Sequence, residues 1–172
     1  MLLIAEKLHQ LHFGRLMEVY AEGNRENGAC FYPNLPPQQG ILEAEQDFYR
    51  YLKDVFFSTE GAFYAVWEEN GRYYSALRLE PYRNGLLMEA VETAPEHRRQ
   101  GYARRLMEAV FARMGKGVVY VHIDKDNAPS IALHKKLGFE RIQNYAVYID
   151  GSVNQSSGTY RLELGGESWR SN

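Results

Sequence analysis

The chain of 172 residues contains one cysteine, Cys30. An internal disulfide scaffold is therefore excluded, and folding rests on a packed core. No apolar run reaches the length of a membrane span, and Met1 to Lys7 carry no basic start and meet an acid at Glu6. A signal peptide or membrane anchor is not expected from such a segment. Charge of one sign is also lacking: 20 Lys and Arg stand against 22 Asp and Glu, a net charge of −2. That balance gives no global attraction to nucleic acid or to anionic membranes. Repeats are absent, and so are the Gly-Lys-Ser/Thr of a Walker loop and the G-x-G-x-x-G of a dinucleotide fold. His9, His12, His97 and His122 have no metal-ligand spacing, so no metal is expected. These absences point to a single soluble domain over residues 1–172, placed by default in the cytoplasm, with 165–172 as a loose tail.

What is present reads as alternating elements. Leu2–Lys7 is a short strand, and Leu8–Tyr20 has roughly helical spacing of its apolar residues. The stretch Glu22–Gly40 holds three glycines, three prolines and three asparagines and reads as a long loop of the kind that borders sites. Ile41–Phe57 is a helix with Leu42, Phe48, Leu52, Val55 and Phe56 on one face. Ala62–Glu68 and Tyr73–Glu80 flank Asn70-Gly71, a strong hairpin signal. Leu86–Thr93 is a third strand, Tyr102–Met114 a helix, and Val118–Ile123 a buried strand parallel to the third. Asn127 is the N-cap of a helix that ends at Gly138. Phe139–Ile149 and Gly158–Leu164 close the chain as paired strands. The fold class is α/β of the α+β type: a mixed, mostly antiparallel sheet of six or seven strands with helices on both faces.

Between the third strand and the next helix lies Arg98-Arg99-Gln100-Gly101-Tyr102-Ala103. A turn there leaves backbone N–H groups unpaired at the positive end of a helix, a natural phosphate site. Gly101 lets a ligand approach the backbone, and the arginines add donors. Two arginines beside a glycine also suit a plain solvated turn, so the wider context decides.

That context is a pair of motifs. Glu89–Ala103 reads EAVETAPEHRRQGYA, and Asn127–Phe139 reads NAPSIALHKKLGF, with one helix and one strand between them. Together they resemble the GNAT superfamily of acyl-CoA-dependent N-acyltransferases. The resemblance implies acetyl-CoA as cosubstrate, with its pyrophosphate on Arg98, Arg99, Gln100, Gly101, Tyr102 and Ala103. It also implies a pantetheine arm lying where the strands ending near Thr93 and Ile123 splay, paired with main-chain groups at Val91 and Thr93 and with Asn127. The Val91 N–H would then be the oxyanion donor. Glu89 matches a position where some members carry a working glutamate, and simple strand alternation puts Glu89, Val91 and Thr93 on one face. It is the first candidate base and Glu92 the second, with a merely cation-binding Glu89 as the alternative. His134 stands where the family often has a tyrosine acid, and histidine can donate a proton near neutrality.

The implied activity is acetyl transfer from acetyl-CoA to a primary amine, the acceptor being a small molecule. Phe31, Tyr32, Tyr49 and Tyr73 are candidates to line its pocket. Two alternatives stay open: a silent acyl-CoA-binding regulatory module, and an acetyltransferase for protein N-termini or lysines. Neither nucleic acid nor membrane is an expected partner, and an edge strand near the C-terminus leaves room for a homodimer.

Overall fold

The computed structural model describes residues 1–165. Of the expected loose tail, 165–172, all but Gly165 lies outside the described residues. Seven strands occupy one sheet in the order β1-β2-β3-β4-β5-β9-β6, where β1 is Leu2–Ala5, β2 Phe63–Glu69, β3 Arg72–Tyr82, β4 Gly85–Thr93, β5 Gly117–Asp124, β6 Glu140–Gln143 and β9 Ser157–Leu164. β4 and β5 run parallel, whereas β1–β2, β5–β9 and β6–β9 are antiparallel. A separate small ribbon pairs β7, Ala146–Val147, with β8, Val153–Asn154. The helices are α1 (Phe13–Val19), α2 (Ala21–Phe31), α3 (Pro37–Asp54), α4 (Tyr102–Met114) and α5 (Ala128–Lys136). The mixed, mostly antiparallel sheet matches the expected fold class.

The chain divides into two compact units. The first holds Met1–Arg78 and Ala90–Leu106. Its core gathers Leu16, Val19, Leu52, Phe56, Tyr64 and Val66, all essentially out of solvent; each such side chain contributes about 1.5–3 kcal/mol of burial. The turn between β2 and β3 has positive φ at both Asn70 (50°) and Gly71 (73°), the backbone that a two-residue hairpin requires.

The expected loop over Glu22–Gly40 is instead mostly helix, with α2 ending at Phe31 and α3 beginning at Pro37. The glycines that suggested a loop serve packing. A Cβ on Gly28 would stand 2.7 Å from the Gly40 carbonyl carbon, so the two helices meet backbone to backbone and only hydrogen fits. The helix read as beginning at Ile41 therefore starts at Pro37, in the first turn where proline is tolerated. The segment Leu8–Tyr20 is likewise split, into a 3-10 turn at Leu8–Gln10 and α1.

The second unit holds Leu79–Glu89 and Met107 onward. Its ladder from Gly117↔Leu164 to Asp124↔Ser157 sets the last strand, β9, beside β5. Leu87, Met88, Val119, Phe111, Phe139 and Leu162 are buried there. The parallel ladder runs from Leu86↔Val119 to Met88↔Val121, and β4 itself continues to Thr93.

Candidate functional site

The turn that follows β4 is built from left-handed backbone. Arg99 has φ of 61° and Gly101 of 81°. Left-handed residues alternating with an ordinary one, here Gln100, turn successive N–H groups to one side and form an anion-binding concavity. A Cβ placed on Gly101 would meet no atom within 4 Å, so the space over the turn is open. Helix α4 begins here, with Arg105 N–H bonding to the Gly101 carbonyl at 3.0 Å. Tyr102 stacks on Tyr74, with ring centroids 4.7 Å apart, and Arg105 lies over the Tyr102 ring at 5.2 Å. Gln100 donates to the Glu96 carbonyl at 3.3 Å.

Arg98 is occupied within the fold. Its guanidinium pairs with Glu22 of α2, stands 3.7 Å from Glu92, and donates through Nε to the Thr93 carbonyl at 3.4 Å. The arginine that sequence reading offered to a phosphate is thus committed to tying the turn to α2 and β4. Burial pushes the Glu92 carboxyl up, partly offset by Arg98, while Glu22 and Glu26 push the same way as burial.

The part of β4 before this turn departs from a regular strand. Ala90, which has a Cβ, sits at φ 50°, a conformation costing roughly 1–2 kcal/mol in an L-residue. The alternation read through Glu89, Val91 and Thr93 is therefore interrupted at Ala90. Side chains hold the main chain in place at Ala90 and just after it. Tyr20 donates its hydroxyl to the Ala90 carbonyl at 2.8 Å, and Ser75 donates to the Glu92 carbonyl at 2.5 Å.

Beside this strand lies a cavity of about 370 Å³ lined by Tyr20, Asn24, Phe31, Phe48, Tyr51, Arg78 and Ala90 among others. Tyr20 and Phe48 meet edge to face at 5.4 Å, and Arg78 lies over the Tyr51 ring at 4.9 Å. Of the aromatics proposed from sequence, Phe31 lines this cavity. Tyr73 is instead a core residue whose hydroxyl accepts from the His12 N–H at 3.1 Å. Tyr32 hydrogen-bonds Asp47, and Tyr49 lies on another depression with Phe13 and Leu42. Tyr20, Phe48 and Tyr51 were missed, because their helical spacing reads equally well as core. Cys30, next to Phe31, is exposed.

The second motif forms a regular helix. Asn127 caps α5, its Oδ1 accepting from the Ser130 N–H at 3.1 Å. His134 is only 2% exposed. Its Nδ1 lies 2.8 Å from the Ser130 carbonyl, which accepts only, so Nδ1 carries the hydrogen. Nε2 is buried with no partner, and the ring packs on Phe139 at 5.2 Å. Burial lowers the imidazole's proton affinity, with the Ser130 carbonyl acting against it. A buried ring whose Nδ1 hydrogen is tied to a carbonyl, with its other nitrogen closed off inside the fold, does not suit the acid role expected for His134. Among the described residues, no group of three or more His, Cys, Asp or Glu could hold a metal ion, and no helix is long and apolar enough to cross a membrane.

The family model described as Acetyltransferase (GNAT) family matches residues 26–139. The chain belongs to this GNAT family. Streptothricin acetyltransferase of Streptomyces lavendulae is 35% identical over 69 residues, 38% of this chain and 36% of that protein. The chain spans well under half the length of the curated relatives it matches. Among solved structures, the ribosomal-protein-S18-alanine N-acetyltransferase of Escherichia coli superposes with a TM-score of 0.59 at 17% identity, covering 98% of each chain. The PaiA N-acetyltransferase of Thermoplasma acidophilum, solved in complex with coenzyme A, gives 0.57 at 12% identity, over 95% of this chain and 99% of that one. These two likenesses concern the GNAT fold.

Proposed function

We propose that the chain works as one catalytic domain that moves an acetyl group from acetyl-CoA to the primary amine of a small molecule. The observation that carries this reading is the open left-handed turn at Arg99 and Gly101, heading helix α4 in a member of the GNAT family. Its backbone N–H groups, with the helix dipole behind them, would hold the pyrophosphate. Val91 and Thr93 on β4 would hold the pantetheine arm. The thioester supplies the carbonyl carbon that the amine attacks.

Glu89, with Glu92 as the second carboxylate, takes the ammonium proton directly or through water. Burial raises the proton affinity of Glu92, with Arg98 acting against it, a shift in the direction that favours a general base. The neutral nitrogen forms a bond to the carbonyl carbon while the Val91 N–H donates to the oxygen on which negative charge develops. The carbon–sulfur bond then breaks, the nitrogen sheds its second proton to water as the amide forms, and the released thiolate takes up a proton from water, with no part for His134. The acceptor lies in the aromatic cavity beside Ala90, whose 370 Å³ falls within the range of small-molecule pockets. Aromatic walls suit a cationic amine with an apolar body. A small-molecule acceptor also fits the name of the streptothricin acetyltransferase relative.

Calorimetry with coenzyme A at low salt, followed by a thiol-release assay over an amine panel, tests the proposal. Binding, and thiol release that depends on the amine, are expected. Folded protein that gives no heat with coenzyme A overturns it. Tight acetyl-CoA binding with no turnover across the panel would favour a silent regulatory module instead.

A further inference from the structure

We infer that Tyr20 is a positioning residue for acetyl transfer: through the Ala90 carbonyl, its hydroxyl sets the direction of the Val91 N–H. The inference rests on the acetyl-transfer reading of β4. Tyr20 is the single residue between α1 and α2, so the break between these helices projects its side chain into the interior, where it is 8% exposed.

The hydrogen bonds have one possible polarity. The Ala90 carbonyl can only accept, so the Tyr20 hydrogen goes to it at 2.8 Å. Tyr64, fully buried on β2, then donates to the Tyr20 oxygen at 2.8 Å. The chain runs from Tyr64 to Tyr20 to the Ala90 carbonyl. With its acceptor side engaged by Tyr64, Tyr20 presents a donor to β4 and selects a carbonyl over an N–H.

That choice propagates because a peptide unit is planar and trans, and no described peptide bond is cis. The Ala90 C=O and the Val91 N–H belong to one plane and point in opposite directions. Holding the carbonyl toward Tyr20 therefore aims the N–H away from it. The hold matters because Ala90 lacks glycine's freedom and sits at φ 50°, a strained conformation that persists only where partners fix the surrounding main chain. A rotation of the 90–91 peptide would turn the Val91 N–H toward a hydroxyl already committed as a donor. The phenols act as fixed dipoles. Burial raises the Tyr20 ionisation well above its ordinary value and that of Tyr64 to about 12, so both stay protonated while amines are acetylated.

Tyr20 also lines the cavity and Tyr64 does not, so two variants separate aiming from acceptor contact. Tyr20→Phe keeps the ring and removes the donor; Tyr64→Phe removes the donor behind Tyr20, together with its hydrogen bond to the cavity-lining Arg78. At saturating acetyl-CoA, kcat should fall about 10- to 100-fold in Tyr20→Phe, less than the roughly 100- to 1,000-fold cost of deleting an oxyanion donor because the N–H remains and loses only its aim, and about 3-fold in Tyr64→Phe. The acceptor KM and coenzyme A affinity should stay within about 3-fold. The Val91 amide resonance, assigned by NMR in the ligand-free protein, should shift in both. A loss confined to acceptor KM, or an unmoved Val91 resonance in a folded variant, overturns the inference. Wild-type protein that neither binds coenzyme A nor releases thiol would overturn the acetyl-transfer reading instead, while the Val91 resonance would still report whether the clamp exists.

Discussion

The two motif stretches spend their residues differently. In 89–103 the backbone is irregular, with positive φ at Ala90, Arg99 and Gly101, and side chains such as Tyr20 and Ser75 hold its carbonyls. In 127–139 the backbone is a capped helix stopped by Gly138 at φ 92°, and its one ionisable candidate, His134, is buried against Phe139. Strained main chain held by distant side chains is where the ligand site is proposed; the capped helix instead sets its histidine against an apolar ring, with Nε2 buried and unpartnered. The contrast teaches that similarity to a motif does not give all its residues the same kind of task.

The sharpest way to break this contrast is Gly101→Glu. It puts a strained Cβ and a negative charge where phosphate is expected, and coenzyme A affinity by calorimetry should drop at least about 100-fold, or ~2.7 kcal/mol. Wild-type affinity would return that turn to the category of a solvated corner. Gly138→Ala probes the other stretch, since the new Cβ would stand 3.3 Å from Leu162 Cδ1 in left-handed backbone. A loss of roughly 1–2 kcal/mol in stability is expected, read as a lower melting temperature with coenzyme A affinity retained.

A smaller effect concerns His134 and pH. Burial holds the folded imidazole below its ordinary value of 6.5. Between those two values the unfolded chain binds the proton more readily. Stability should therefore be complete above about pH 6.5 and decline as pH falls through the window beneath it. In His134→Phe this acid-side decline should be shallower in thermal melts, and kcat should stay within about threefold, whereas loss of a true general acid costs about 100-fold or more. The smallest effect is expected from Phe31→Ala. Phe31 is 68% exposed, so its truncation should leave the melting temperature in place and raise the acceptor KM about threefold, roughly 0.65 kcal/mol.

Legibility in the sequence followed how local each cause was. The hairpin at Asn70-Gly71, helix Tyr102–Met114 and the Asn127 cap are written in neighbouring residues, and each is found where its residues place it. The contact of Gly28 with Gly40 joins residues twelve apart, so its glycines read as loop. The conformation of Ala90 had no signal at all, because alanine is an ordinary strand residue and the hydroxyl that holds its carbonyl comes from Tyr20, seventy positions away. The commitment of Arg98 to Glu22 and the burial of His134 are equally long-range consequences of packing. The open turn at 98–103 was legible because glycine and helix start lie side by side; the aromatic cavity was not, since a tyrosine lining a hollow and one filling a core share the same periodicity.

The exposed thiol of Cys30 adjoins Phe31 at the rim of the cavity, and the sequence has no second cysteine. A maleimide fluorophore can therefore be attached at one defined point without mutagenesis. Its emission would turn entry of an amine into an optical titration, giving acceptor affinities separately from turnover.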